Sequence, residues 1–258
     1  MVSGRTDQTM AGQVAVVTGA SGAIGSVLAR AFAARGAAVV VLDILDGTDV
    51  VTGITEAGGE ARGVVADLRD EQATAAAVAE VLAWRGRVDV LVNMAGVYYG
   101  VPRIPFWEID PDTWEEVVAG NMRTAFLASR SFSAPMREAN RGRIVNVSSN
   151  VSVFGMGNFL HYVGAKAALV GMTRSMAREL GAFNIAVNAV APGLVHTDKT
   201  AADTSPEYLQ VVVNGQCLKQ AILVDDVVNA VLFLTCEESR LITGQTLLVN
   251  GGASMGAF

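Results

Sequence analysis

The amino-acid sequence predicts an α/β protein in which helices cover both faces of a doubly wound parallel sheet of about seven strands. Short valine-rich runs alternate along the chain with longer segments of helical periodicity. The runs are continuously apolar, which is typical of parallel strands buried on both faces. Alternating strands and helices favour right-handed crossovers, and these generate a doubly wound sheet.

Seven apolar runs predict the strands. The first is Val14-Ala15-Val16-Val17, and the second, Ala37–Leu42, is among the longest in the chain. Both have the length and the β-branched composition of a buried strand. In chain order the predicted strands lie near residues 13–18, 37–42, 61–66, 88–93, 142–148, 185–190 and 245–250.

Helical patterns fill the intervals between the strands. The fourth of them contains Gly120-Asn121. Both residue types are unfavourable in a helix interior, so we expect a local kink at this point. The predicted helices lie near residues 23–35, 47–58, 70–85, 112–138, 158–182 and 224–236.

We expect one domain, over residues 12–258. Hydrophobic residues make up 51% of the chain, and no Pro/Ser-rich linker or charge run divides it. Residues 1–11 lack an apolar signal core and are predicted to be a disordered leader. Residues 197–219 interrupt the alternation of strands and helices where a strand ends. This position favours a lid that covers a binding site. The alternative is a surface loop packed on its own helix.

Composition and charge argue against several classes of function. The formal net charge is −6, and basic residues cluster only at Arg137, Arg141 and Arg143, so a nucleic-acid partner is not expected. No apolar run reaches the ~18 residues of a membrane span. The histidines, His161 and His196, are not part of a ligand cluster, so no metal is expected. Two cysteines without a secretion signal are typical of a cytoplasmic protein.

A glycine-rich turn follows the first strand. Glycines there allow the backbone to approach a pyrophosphate, and the amino end of the next helix offers free N–H groups. This Rossmann-type pattern predicts a dinucleotide site, although such a turn can also be purely structural. The residues expected at the cofactor are Gly19, Ser21, Ala23, Ile24 and Gly25.

Asp43 ends the second strand, eighteen residues after Gly25. A carboxylate there can accept hydrogen bonds from ribose hydroxyls and repels a 2′-phosphate. No Arg or Lys follows before Arg62, so the sequence favours NAD over NADP. The alternative is that Asp43 is only a turn residue after a strand.

Tyr162 and Lys166 are four residues apart, which places both on one face of a helix. A cation at about 4 Å in a medium of dielectric ~20 contributes roughly 4 kcal/mol, so we expect Lys166 to lower the pKa of the Tyr162 phenol. The phenol then becomes a candidate general base or acid. Ser149, thirteen residues earlier, is expected to stabilise charge on the reacting oxygen.

Together with Asn121, Asn93-Met94-Ala95-Gly96 and Pro192-Gly193, these residues resemble the short-chain dehydrogenase/reductase family in its single-domain branch. The resemblance extends from about Gln13 to about Gly252. It implies that Asn121 positions a water in a proton relay from Lys166, and that long helices pair across two-fold axes of a homotetramer. The further cofactor contacts that it implies are Asp67, Leu68, Asn93, Ala95, Gly96, Pro192, Gly193, Val195 and Thr197, besides Tyr162 and Lys166.

The residues around the reaction centre are mostly apolar, which predicts a bulky secondary alcohol or its ketone as the substrate. No Arg or Lys occurs between Ser149 and Lys166, so an anionic substrate would find only Lys199 nearby. The lid adds Tyr208, Leu209 and valines. The residues expected to contact the substrate are Tyr98, Ser149, Val151, Phe154, Phe159 and Leu194.

Three functions remain open at this point. The first is an NAD-dependent alcohol dehydrogenase or ketoreductase, which the Asp43 pattern favours. The second is an NADPH-dependent reductase of 3-oxoacyl thioesters on the same scaffold. The third, from a different class, is a non-catalytic nucleotide-sensing module, and the complete set of acid–base residues argues against it.

Overall fold

The structure, a computed structural model, describes residues 9–256. Its main element is a 7-stranded sheet with the order β3-β2-β1-β4-β5-β6-β9, in which every neighbouring pair is parallel. A short pair, β7 and β8, lies apart from it. The strands are β1 Val14–Thr18, β2 Ala38–Asp43, β3 Glu60–Val65, β4 Val90–Asn93, β5 Gly142–Val147, β6 Ile185–Pro192, β7 Val195–His196, β8 Ile222–Leu223 and β9 Thr246–Val249.

Helices cover both faces of this sheet. One buried cluster joins the sheet to α1, α2 and α10, and a second joins it to α3, α5 and α7. Alternate residues of β1 enter the two clusters, as the period of two in a strand requires. The helices are α1 Ala23–Ala34, α2 Thr48–Glu56, α3 Glu71–Arg85, α4 Pro111–Val118, α5 Thr124–Glu138, α6 Val151–Phe154, α7 Leu160–Leu180, α8 Asp198–Asp203, α9 Pro206–Gly215 and α10 Val224–Thr235.

The predicted doubly wound α/β fold is confirmed. All seven predicted strands form the main sheet, with bounds within two residues of those expected. The long helical pattern at 112–138 is interrupted by a π-helical turn over Ala119–Arg123, where the Gly120-Asn121 pair predicted a kink. The chain over 197–219 is helical rather than a loop, since α8 and α9 occupy most of it.

The expected leader is partly wrong. Residues 1–8 lie outside the described residues, but Met10 is only 3% exposed and packs in the core cluster beside α1. Its backbone N–H donates to the carbonyl oxygen of Arg35 at 2.9 Å. The ordered fold therefore begins by Met10, because this thioether is long enough to cover the end of α1. Within residues 9–256, no helix has both the length and the apolar character needed to cross a membrane.

Candidate active site

The predicted site residues converge on a cleft at the carboxyl edge of the main sheet. The strand order reverses between β1 and β4, and α/β sheets open a crevice for ligands at such a point. The cleft has a volume of about 840 Å³. A second cleft, of about 910 Å³, lies near the amino ends of β1, β4 and β5 and contains none of the predicted site residues.

The glycine-rich turn forms one wall of the cleft. Gly19 has a φ of +66°, and a β-carbon there would lie 2.9 Å from the Cα of Ala95. A β-carbon on Gly25 would overlap the carbonyl oxygen of Gly19, so glycine allows α1 to start this close to the strand. Thr18 Oγ1 accepts a hydrogen bond from the Ala95 N–H at 3.0 Å and ties the turn to the end of β4. The predicted turn residues that line the cleft are Gly19, Ala23, Ile24 and Gly25.

Asp43 lines the cleft at the end of β2 and braces the glycine-rich turn. Its carboxylate accepts hydrogen bonds from the backbone N–H groups of Ser21 at 2.8 Å and Leu45 at 3.1 Å. An ionised carboxylate offers about four acceptor sites, so it retains capacity for ribose hydroxyls. Ser21 itself does not line the cleft, and its hydroxyl lies 3.5 Å from the Asp46 carbonyl oxygen. Ser21 is therefore tied to Asp43 through its backbone N–H, and its expected contact with the cofactor stays a prediction.

Asp67 and Leu68 follow β3 and also line the cleft. Arg69 forms an ion pair with Asp67 at 2.7 Å, and its hydrogen bond holds the pKa of Asp67 below the usual range. Arg69 is thus a cation at this end of the cleft that the sequence pattern did not indicate. Its charge is already paired with a carboxylate.

Asn93 is a brace between strands and not part of the cleft lining. Its buried side-chain amide donates to Ser129 Oγ and to Asn146 Oδ1, both at 2.8 Å. The Asn93 side chain therefore braces β4 against β5 and α5, and the expected cofactor contact through Asn93 stays a prediction. Ala95 and Gly96, which follow it, line the cleft as expected.

Ser149, Tyr162 and Lys166 meet at the centre of the cleft. Tyr162 and Lys166 lie one turn apart on α7 and are 7% and 5% exposed. Burial raises the pKa of the Tyr162 phenol, and the Ser149 hydroxyl acts to lower it. Ser148, by contrast, donates its hydroxyl to the backbone carbonyl of Lys166 at 2.7 Å. Of the two adjacent serines, Ser149 is therefore the one whose hydroxyl acts on the phenol.

Burial dominates the proton affinities of this pair. Burial raises the pKa of Tyr162, and the nearby Ser149 hydroxyl opposes that rise only in part. Burial also lowers the pKa of Lys166 to about 8. Our expectation that Lys166 holds the phenol pKa low is wrong for the protein alone. The ammonium is directed to the carbonyl oxygen of Val147 at 3.0 Å, and loss of solvation at the phenol outweighs its field.

Asn121 lies in the π-helical turn. Its side-chain amide donates to the carbonyl oxygens of Val97 at 2.9 Å and Val117 at 3.0 Å, which satisfies the irregular backbone. Its buried Oδ1 has no hydrogen-bond partner among the described residues. A β-carbon on Gly96 would lie 2.6 Å from this Oδ1 and 3.2 Å from Lys166 Nζ. Gly96 therefore leaves space in which an acceptor and an ammonium approach each other.

The segment after β6 forms the opposite wall. Thr197 Oγ1 accepts from the Thr200 N–H at 3.1 Å and caps α8. The Thr200 hydroxyl donates to the carbonyl oxygen of Val195 at 2.8 Å, so Thr200 fixes the spacing of Val195 and Thr197, two of the expected cofactor contacts. The predicted residues of this wall that line the cleft are Pro192, Gly193, Val195 and Thr197.

The substrate end of the cleft is aromatic. Phe159 stacks on Tyr162 with ring centres 4.7 Å apart, and Tyr98 packs edge-on against Tyr162 at 5.4 Å. Helix α9, within the segment predicted to be a lid, contributes Tyr208 but not Leu209 to the lining. All six predicted substrate contacts line the cleft: Tyr98, Ser149, Val151, Phe154, Phe159 and Leu194.

The sequence pattern missed a cation at this end. Arg103, from the loop after β4, lines the cleft and lies over the Phe159 ring at 4.4 Å. Lys199, which we did expect nearby, lies over the Tyr99 ring at 3.9 Å. The expectation that only Lys199 could meet an anion is therefore wrong, because the loop after β4, distant in sequence from Tyr162, folds over Phe159 and brings Arg103 into the cleft. In the described part of the chain, no cluster of His, Cys, Asp or Glu could hold a metal ion.

Comparisons with known proteins agree with this geometry. A family model described as "Enoyl-(Acyl carrier protein) reductase" matches residues 19–254. The chain is 37% identical to a subunit of (2S)-[(R)-hydroxy(phenyl)methyl]succinyl-CoA dehydrogenase of Thauera aromatica, covering 94% of this chain and 97% of that protein.

Two further relatives match over similar lengths. The cis-4-hydroxycyclohexanecarboxylate dehydrogenase of Sinomonas cyclohexanicum is 35% identical, over 95% of this chain and 98% of its own. The 3-oxoacyl-[acyl-carrier-protein] reductase of Escherichia coli (strain K12) is 32% identical, again over 95% and 98%. With the Ser149–Tyr162–Lys166 arrangement and the glycine-rich turn in one cleft, these matches identify the chain as an oxidoreductase that belongs to the short-chain dehydrogenase/reductase family.

Proposed function

We propose that the protein is an NAD-dependent dehydrogenase that interconverts a mostly apolar secondary alcohol and its ketone, with Tyr162 as general base and acid. The observation that carries the proposal is the buried Tyr162 phenol, which shares one cleft with Ser149, Lys166 and the glycine-rich turn. A tyrosine with a lysine one turn away would by itself be weak support. Here, residues predicted to bind the cofactor also line the two walls of the cleft that holds Tyr162.

The residues at one end of the cleft fit a dinucleotide. A pyrophosphate requires close backbone approach, which Gly19 and Gly25 allow, and the amino end of α1 supplies N–H groups. Asp43 supplies the acceptor for the adenosine ribose. The nearest cation at that end, Arg69, is paired with Asp67, which supports NAD over NADP.

The chain's own residues then provide the proton chemistry. The residues of the cleft would hold NAD, which would supply the hydride chemistry in either direction. The Ser149 hydroxyl donates a hydrogen bond to the substrate oxygen and stabilises its developing charge. Tyr162 takes the hydroxyl proton during oxidation and returns it during reduction. Lys166 and the free acceptor Oδ1 of Asn121 form the start of a path by which that proton reaches solvent.

The proposal extends to the domain, the lid, the assembly and the location of the protein. Residues 12–258 form the catalytic domain, and 197–219 close over the substrate as a lid. The working form is a cytoplasmic homotetramer that takes a small-molecule substrate. The small residues on the long helices that permit close pairing are Ala134, Gly164, Ala168 and Gly171.

A second candidate is an NADPH-dependent reductase of 3-oxoacyl thioesters. The Escherichia coli relative bears that activity in its name, although without the cofactor. Asp43 argues against it, because a carboxylate at the ribose repels a 2′-phosphate. A steady-state assay with NAD(H) and NADP(H), against aryl and cycloalkyl secondary alcohols, their ketones and an acetoacetyl thioester, separates the two. Absence of turnover in every combination would point to a non-catalytic nucleotide sensor.

A further inference from the structure

The charged side chains that line the cleft are unevenly distributed. Its carboxylates, Asp43 and Asp67, follow β2 and β3 at the end that fits adenosine. The substrate end carries Arg103 and Lys199, besides Lys166, and no described carboxylate lines it. This end is therefore positive in a chain whose formal net charge is −6. A positive end on an acidic protein is the arrangement that attracts an anion.

Arg103 is held in place by neutral groups only. Its guanidinium lies over the Phe159 ring at 4.4 Å and donates to the Tyr98 hydroxyl at 3.1 Å. Its other terminal nitrogen is 3.2 Å from the Met156 sulfur, which is a weak acceptor. Among the described residues it forms no ion pair, whereas Arg62, Arg69, Arg85, Arg87, Arg130, Arg141 and Arg143 do. These three contacts, with a ring, a hydroxyl and a sulfur, orient the guanidinium. Most of its five N–H donors remain free.

This guanidinium is also close to the reacting groups. The rings of Phe159 and Tyr98, on which it rests, both pack directly against Tyr162. Its positive charge opposes the rise in the Tyr162 pKa that burial causes, so its field reaches the phenol. Only one aromatic ring therefore separates Arg103 from the residue that handles the substrate hydroxyl.

We propose that Arg103 binds a carboxylate carried by the substrate, a few bonds from the carbon that is oxidised. This inference rests on the proposed function and specifies its substrate class as a hydroxy acid with an apolar aryl or cycloalkyl body. Arginine matches a carboxylate with two parallel hydrogen bonds, and the aromatic floor fits the apolar body. A phosphate on a long pantetheine arm is a poorer fit, because that arm holds the phosphate far from the thioester whereas Arg103 is close to Tyr162.

The test separates binding from turnover. The NADH-loaded protein is titrated by calorimetry with 3-phenylpropanoate, with its neutral amide and with 4′-phosphopantetheine. We expect the acid to bind at least tenfold more tightly than the amide, and Arg103→Met to remove that difference. Arg137→Met is the matched control, because Arg137 also lies over a phenylalanine ring, that of Phe183, but does not line the cleft.

The outcomes are distinct. Equal binding of acid and amide, an acid preference that survives in Arg103→Met, or an Arg103-dependent preference for phosphopantetheine alone would overturn the inference. The paired rate assay uses 3-hydroxy-3-phenylpropanoate and its methyl ester. Turnover of the ester at the same kcat/KM as the acid overturns the carboxylate site and keeps the proposed function. Acid binding through Arg103 without oxidation of any alcohol in the panel refutes the proposed function and keeps the site.

Discussion

The Lys166 ammonium lies 5.7 Å from the centre of the Tyr162 ring and donates its hydrogen bond to Val147, not to the phenol. Each side chain is buried, and burial disfavours the charged form of each. In the protein alone the phenol therefore stays protonated at neutral pH. Burial of the charged Lys166 side chain beside the cleft also lowers the free energy of unfolding.

Tyr162→Phe is expected to lower kcat by a factor of ~10² or more, since the phenol oxygen carries the proton. NADH affinity should stay within about threefold of that of the unmodified protein, because the ring and its stacking on Phe159 are retained. A rate assay and a calorimetric titration measure the two quantities. Retention of more than about a tenth of kcat in Tyr162→Phe would remove this residue from the role of general base.

Lys166→Met is expected to abolish activity and yet stabilise the fold at neutral pH. The folded-state pKa of about 8 is below the ordinary 10.5, so the buried charge destabilises the protein fully below pH 8, and this cost fades as the pH rises to 10.5. The shift corresponds to about 3 kcal/mol, offset by about 1 kcal/mol for the lost hydrogen bond to Val147.

Urea unfolding at pH 7 and pH 10 measures this prediction. Lys166→Met should raise the free energy of unfolding by about 2 kcal/mol at pH 7 and by clearly less at pH 10. Lys199→Met, at an exposed lysine, should change neither value. A loss of stability in Lys166→Met at pH 7 would contradict the assignment of a costly buried charge.

The cofactor preference should depend on Asp43. We expect kcat/KM with NAD to exceed that with NADP at least tenfold, about 1.4 kcal/mol. Asp43→Asn should reduce this ratio, because the amide oxygen still accepts from Ser21 while the charge that repels a 2′-phosphate is gone. The neighbouring Asp46→Asn serves as control, since Asp46 bonds to Thr48 and does not line the cleft. An unmodified protein that prefers NADP tenfold would refute the prediction.

Gly96→Ala is expected to impair catalysis without unfolding the protein. The added methyl would lie 2.6 Å from Asn121 Oδ1 and 3.2 Å from Lys166 Nζ, so at least one of the two must shift. A displacement on the order of 1 Å near the chemistry can lower the rate ~10²-fold. Gly157→Ala is the matched control, since its methyl would meet no atom within 4 Å. Steady-state kinetics measure the effect. Equal kcat/KM for Gly96→Ala and Gly157→Ala would show that the spacing of Asn121 and Lys166 at Gly96 is unimportant for catalysis.

The parts of the molecule that were predictable from sequence depend on short-range patterns. The buried strands are continuous apolar runs, so their positions followed from composition along the chain. The kink at Gly120-Asn121 followed from two unfavourable residues in a helical segment. Asp43 and Gly19 come at fixed distances around strand ends, and both line the cleft.

The parts that were missed depend on which way a side chain points and on what surrounds it. Arg103 enters the cleft because the loop after β4 folds over Phe159. The separation of Arg103 and Phe159 along the chain does not predict this contact. The direction of the Tyr162 pKa shift is set by the rings packed around it, which are distant in sequence.

The oligomeric state can be tested at Gly171 on α7. A β-carbon there would meet no atom within 4 Å in the single chain, so a larger side chain is tolerated by the fold itself. Phe126, on helix α5, is 50% exposed in the single chain. We expect light scattering to give a tetramer for the unmodified protein at micromolar concentration.

Gly171→Trp should give a smaller species with an unchanged circular dichroism spectrum, because the indole would separate helices that pair closely. Glu56→Trp, on the exposed side of α2, should remain a tetramer. A monomeric unmodified protein, or a Gly171→Trp tetramer as stable to dilution as the unmodified one, would show that these helices do not form the subunit contact.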